Sequence, residues 1–294
     1  MEIINRRKRM MSLARKLRRE ENRTIGLVPT MGALHEGHLS LIHEARALCD
    51  VVVASIFVNP AQFGANEDFD AYPRDLTADA ATLAEYNVDY VFAPPVAEIY
   101  PQGFSTYVTV EGLSGELEGA SRPGHFRGVT TVVAILLNAV RPNFAFFGQK
   151  DAQQSIVIKQ MVRDLAFDTE IVVLPIVREE SGLALSSRNA YLDSEQRKAA
   201  TVLNRALIQA RAAYDEGERN ATDLVELVRA TIEAQPLARI DYVSINDAVT
   251  LDKLEKLDEH PALLSLAVFF GKTRLIDNVV LGKTKKHDAA GAGG

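Results

Sequence analysis

The sequence predicts an α/β fold, a Rossmann-like doubly wound parallel sheet with a smaller C-terminal α+β domain, and three observations predict it. Short apolar runs without alternation, at Ile25–Val28, Val51–Val58 and Asn143–Phe147, read as strands buried on both faces, as in a parallel sheet. The first and third run straight into a glycine-bearing polar loop and then a helical pattern, the order that βα units require. Beyond Leu192 this alternation stops, and helical patterns at Ser194–Tyr214 and Ala221–Ala234 precede strands near Ile240–Ile245, Leu264–Phe270 and Arg274–Val280. The boundary is placed near residue 185, giving domains of 1–185 and 186–282 with a crevice expected between them. Residues 283–294 have no apolar pattern and read as a mobile tail.

Composition narrows the function classes. A chain of 294 residues with 47% hydrophobic and 24% charged residues can bury a sizeable core. No apolar stretch is long enough to span a bilayer and no signal peptide opens the chain, so no membrane association is expected. The net charge of -6 argues against a general nucleic-acid surface, which needs a concentrated basic face. Cys49 is the single cysteine, so no internal disulfide forms, which fits a cytoplasmic location.

Taken in order, residues 6–19 carry many basic groups and no acid, as a transit peptide or a membrane-surface helix does. Met10, Leu13, Ala14 and Leu17 nevertheless make the apolar stripe of an ordinary first helix. The strand at Ile25–Val28 breaks at Pro29, passes Gly32 and enters a helix carrying His35 and His38. Such a helix aims its unpaired N–H groups and positive dipole end at the loop, where phosphates collect. Histidines at i and i+3 share a face and can donate to one polyphosphate. A zinc site is disfavoured, because two ligands need a third or fourth. Val51–Val58 leads to a long polar loop at the carboxyl end of a strand, where open α/β sheets bind ligands, and Gln62 there offers an amide donor and acceptor to a small polar substrate. Asp75–Asn87 reads as a helix carrying Asp79, Val88–Ala93 as a strand, and Thr106–Val110, which alternates, as a half-exposed strand. Arg122, His125 and Arg127 lie in a glycine-flanked loop before the helix Val129–Val140, either an anion-facing lid or a turn tied down by its own hydrogen bonds. After Asn143–Phe147, Gly148 leads to Lys150, a point charge for phosphate oxygens, and Asp151, an acceptor for ribose hydroxyls or a metal's water. Gln154 follows one turn on. Past the strand Glu170–Val177, Ser186, Ser187 and Arg188 place two hydroxyls and a cation in a loop able to close over a triphosphate. Two P-loop decoys fail: F-G-K-T at 270–273 lacks the earlier glycine, and G-A-S-R-P-G is followed by His125 where lysine is needed.

T-M-G-A-L-H-E-G-H at 30–38 resembles the T-M-G-x-L-H-x-G-H signature of the pantoate–β-alanine ligase (pantothenate synthetase) family, whose HxGH motif is shared with class I aminoacyl-tRNA synthetases. N-P-A-Q-F-G, G-Q-K-D-A-Q-Q and G-L-A-L-S-S-R-N are similar to later blocks of the family in the same order, the last being its counterpart of the synthetases' KMSKS loop. The resemblance implies formation of pantothenate from pantoate, β-alanine and ATP through a pantoyl adenylate, with Mg²⁺ accompanying ATP, in a cytoplasmic homodimer. It implies catalytic roles for His38, His35, Lys150, Ser187 and Arg188. ATP would be bound by Met31, Gly32, Gly148, Asp151, Val177, Leu185 and Ser186 together with those five. Pantoate and β-alanine would meet Gln62, Gln154, Pro29 and Met31, with Asn59, Tyr72, Arg122 and His125 as further candidates, and Asp79 carries a magnesium-related expectation. Gln149 and Ala152 depart from the commonest pattern at positions without a proposed role. Two rivals remain at this point: a nucleotidyltransferase whose nucleotidyl ester is the final product, and a nucleotide-binding module without turnover.

Overall fold

A computed structural model describes residues 1–64 and 67–282, so the expected tail at 283–294 lies outside the described residues. The chain divides into two compact units, one ending at Ala190 and one beginning at Tyr191.

The first unit runs β1 (Glu2–Ile4), α1 (Arg7–Arg15), β2 (Ile25–Thr30), α2 (Glu36–Leu48), β3 (Val51–Ile56), α3 (Leu76–Glu85), β4 (Tyr90–Phe92), α4 (Val96–Ile99), α5 (Leu117–Ser121), α6 (His125–Val140), β5 (Phe144–Gly148), α7 (Ala152–Asp164) and β6 (Glu170–Leu174). Its six strands form one sheet in the order β1-β4-β3-β2-β5-β6, every pair parallel. The alternation of side chains explains why the apolar runs are continuous. Ile25, Leu27, Val51, Val53, Ala145 and Phe147 enter the core on one face, while Val28, Val52, Ala54 and Phe146 enter the core on the other. α6 packs almost wholly buried in the first of these cores. From β2 the order proceeds outward through β3 and β4, and on the other side through β5 and β6. The switch point therefore lies between the carboxyl ends of β2 and β5, at the 31–35 loop and the Gln149–Asp151 turn.

The structure corrects several expectations. The segment 106–110 is not a strand, because α6 takes its backbone groups: the Thr131 hydroxyl accepts from Val108 N–H at 3.0 Å, and the Thr130 hydroxyl donates to Val108 C=O at 2.7 Å. β1, whose three residues are too few to show a period, pairs with β4 at the sheet edge. The basic run 6–19, by contrast, is the ordinary helix its apolar stripe predicts, extended by a wider turn at Lys16–Glu20, with Met10, Ala14 and Leu17 buried. Arg6, Arg9, Lys16 and Arg18 pair with Glu98, Glu2, Glu21 and Asp168.

The second unit contains α8 (Ser194–Ala200), α9 (Val202–Asp215), α10 (Ala221–Glu233) and an antiparallel sheet of β7 (Ala238–Asp247), β8 (Ala262–Phe270) and β9 (Thr273–Leu281) in that order. The single helix expected at Ser194–Tyr214 is two: Asp193 begins α8 with a capping box, and the chain breaks at Thr201 before α9.

Candidate active site

A pocket opens at the switch point, and all of its lining residues, from Pro29 to Arg188, belong to the first unit. The Ser186–Arg188 loop, at which the domain boundary was expected, falls within the first unit, which ends at Ala190.

The 31–35 loop is built by side chains that consume its amides. Thr30 Oγ1 donates to Ser55 C=O at 2.8 Å and accepts from Gly32 N–H at 3.1 Å. The Asp79 carboxylate accepts from Ala33 N–H and Leu34 N–H, each at 3.0 Å. His38 Nδ1 accepts from His35 N–H at 3.3 Å and His35 Nδ1 from Gly37 N–H at 3.1 Å, a capping box made of two imidazoles. The expectation that free helix amides meet the phosphates is thus corrected for these positions. Two glycines are required sterically. Gly32 has φ +82° and a Cβ there would sit 2.7 Å from Asp79 Oδ2, and at Gly37 a Cβ would meet the His35 ring at 2.9 Å.

Because each Nδ1 receives a backbone N–H, each neutral ring carries its proton on Nε2. Burial, with the neighbouring His35 and Lys150 charges, pushes His38 down to about 3, and burial followed by Lys150 lowers His35. The rings lie 4.1 Å apart between centroids, so the pair presents neutral N–H donors on one wall. Lys150 and Asp151, 3.6 Å apart, line the pocket with Gly148 and Gln154.

Gln62 is oriented from behind. Tyr100 Oη donates to Asn59 Oδ1 at 2.8 Å, and Ala61 N–H donates to the same oxygen at 3.2 Å. Asn59 Nδ2 therefore donates to Gln62 Oε1 at 3.1 Å, leaving the Gln62 NH₂ group towards Met31 Sδ at 3.0 Å and the pocket. Arg122 grips Glu67 through two bonds of 2.7 and 2.6 Å and points Nη1 at His125 Nε2, 3.1 Å away, so His125 Nδ1–H donates to Gln62 C=O at 2.8 Å. Burial and Arg122 push His125 down to about 4. The Arg122–His125 loop is thus a turn tied down by its own bonds, and both side chains also line the pocket. Arg127 instead stacks on Tyr107, 3.7 Å from its centroid. Arg188 pairs with Asp68 at 3.1 and 2.9 Å, and Tyr72 Oη lies 3.3 Å from Ser187 Oγ.

Pro29, Met31, Val177, Leu185 and Ser186 complete the expected residues in the lining, whereas Gly32, Asn59 and Asp79 stand behind it. Asp79, which carried the magnesium-related expectation, turns its two oxygens to the Ala33 and Leu34 amides. Sequence reading missed the apolar floor of Phe57, Val129, Val132, Val133 and Leu136. It also missed Tyr100, Glu67 and Asp68, which act through partners distant in the chain. The signal for the floor was present: α6 is apolar nearly all round, more than one core face needs.

The family model for pantoate–β-alanine ligases matches residues 2–280. The chain belongs to this family. It is similar to the pantothenate synthetases of Pelotomaculum thermopropionicum, 57% identical over 90% of this chain and 94% of that one, and of Moorella thermoacetica, 59% identical over 90% and 93%. A crystal structure of the pantothenate synthetase from Thermus thermophilus superposes with a TM-score of 0.88 at 46% identity, covering 95% of this chain and 99% of that one. The Francisella tularensis ligase, solved in complex with beta-gamma ATP and β-alanine, gives 0.78 at 38% identity, covering 95% and 97%. As a pantoate–β-alanine ligase the chain is an enzyme that forms pantothenate, which removes both rival readings of the sequence.

Proposed function

We propose that this pocket joins pantoate to β-alanine in two displacements. The pantoate carboxylate oxygen attacks the α-phosphorus of ATP and the bond to pyrophosphate breaks. The β-alanine amine then attacks the pantoyl carbonyl, AMP leaves with the anhydride oxygen, and the amine gives up a proton. No covalent enzyme intermediate is needed, only alignment, charge neutralisation and a dry site for a labile mixed anhydride. The observation that carries this reading is the meeting, in one pocket, of the histidine pair, the Lys150–Asp151 turn and the Ser186–Arg188 loop.

In this reading His38 and His35 donate Nε2–H bonds to the α-phosphate and leaving group, and Lys150, Ser187 and Arg188 offset their charge. Gln62 and Gln154 hold the polar end of pantoate while Val129, Val132, Val133 and Leu136 receive its methyl groups. Mg²⁺ bound with ATP would offset charge on the triphosphate. Asp151, 3.6 Å from Lys150 in the pocket wall, would accept from a water of that ion, the rest of its shell coming from phosphates and water. The reading extends to a homodimer in the cytoplasm, with solution mass as its check.

Pantoate-dependent exchange of labelled pyrophosphate into ATP, followed by AMP release only on addition of β-alanine, tests the sequence of steps. His38→Ala is expected to lose about 100-fold or more of the exchange rate, the scale of one lost transition-state donor. Full exchange in that variant would remove His38 from the reaction.

A further inference from the structure

We propose that Asp79 is a positioning residue for the adenylation step: its carboxylate clamps the 31–35 loop and thereby aims the two imidazoles. The inference rests on the reading above that those imidazoles meet the triphosphate. Asp79 lies on the first turn of α3 and is 7% exposed, outside the pocket lining. Its two oxygens divide between consecutive amides, Oδ2 to Ala33 and Oδ1 to Leu34, each at 3.0 Å.

Those amides converge because Gly32 and Ala33 both have left-handed backbone, φ +82° and +51°. At Ala33, whose Cβ disfavours this conformation, the turn must be held by its bonds. Two successive N–H groups in such a turn form an anion nest, and in this chain the anion is supplied internally. The next amide in line, His35 N–H, is the one that fixes the His38 tautomer, so a shift of the loop releases both rings from their Nε2–H form. A carboxylate beneath a polyphosphate site is electrostatically unhelpful, and its use here is geometric.

The test compares Asp79→Asn with His38→Ala and the wild type. The asparagine keeps the shape but sets an NH₂ against a backbone N–H. We expect the exchange rate at saturating ATP and pantoate to fall about 100-fold, the penalty of misplacement by about 1 Å. The Mg²⁺ concentration giving half-maximal rate should be unchanged, and the ring ¹⁵N shifts of His35 and His38 should move from the single Nε2–H tautomer towards a mixture. Recovery of the rate by excess Mg²⁺ would make Asp79 a metal ligand and overturn the clamp. A near-wild-type rate for Asp79→Asn beside an inactive His38→Ala would overturn the clamp alone, whereas an active His38→Ala would overturn the reading on which it rests. Should the asparagine variant fail to fold, amide exchange in the ligand-free wild type decides: protected Ala33 and Leu34 amides support the clamp, and freely exchanging ones refute it.

Discussion

A hydroxyl two bonds removed from the pocket sets which end of an amide the substrate meets. Tyr100 and Ala61 N–H both donate to Asn59 Oδ1, which forces Asn59 Nδ2 towards Gln62 Oε1, and Gln62 is left facing the pocket as a donor. From sequence Gln62 could serve a hydroxyl or a carboxylate, and the relay selects an acceptor. Tyr100→Phe removes one donor while keeping the ring against Phe57 and Phe104. A net hydrogen bond is worth about 1 kcal/mol, so the KM for pantoate should rise roughly fivefold, with the KM for ATP unchanged in steady-state assays. An equal rise in both would mean that Tyr100 supports the whole pocket and not the amide. His38 carries a related expectation, since ¹⁵N spectra should show its ring as the neutral Nε2–H form at pH 5, well above its buried value of about 3.

Elements show where sequence patterns end and tertiary competition begins. The segment 106–110 alternates as a strand does, yet Thr130 and Thr131 of α6 supply the bonds that a neighbouring strand would have made. Thr131→Val leaves Val108 N–H without its acceptor, and urea denaturation should register a loss of about 1 to 2 kcal/mol. No loss would show that water replaces the hydroxyl. The same contrast explains what was legible. β2, β3 and β5 were readable because burial on both faces writes an uninterrupted apolar run, and His35, His38 and Lys150 because short motifs follow β2 and β5 directly. Three residues of β1 carry no period, and the break at Thr201 hides inside a continuous helical pattern. Tyr100, Glu67, Asp68 and the loop bonds of Asp79 were missed for one reason: each acts on a group far along the chain, and sequence spacing holds no record of that distance.

Across the whole molecule, the burial that makes the pocket's histidines neutral donors also makes folding sensitive to acid. His38 and His125 have folded values of about 3 and about 4, against about 6.5 in an unfolded chain. Between those limits the unfolded chain binds protons that the folded chain refuses, so its proton count is the larger and stability rises with pH. Lowering the pH from 7 therefore leaves folding nearly unaffected until about 6.5 and then weakens it, by roughly 2 kcal/mol for each histidine at pH 5. Glu67 joins lower down: burial alone would raise its carboxyl, but the two Arg122 bonds and the Arg122 charge hold it below the usual range, and that contribution is lost only as it protonates. The carboxylate effect thus starts below the histidine window, and the two can be separated by where the slope begins. Denaturation of the wild type between pH 7 and 5 should show stability falling from about 6.5 downward. His125→Gln, whose amide does not titrate, should fall less steeply over the same range, even if it starts from a lower value at pH 7. Parallel slopes in the two proteins would mean that His125 takes up a proton in the folded state, and its neutral hold on Gln62 C=O would then be wrong.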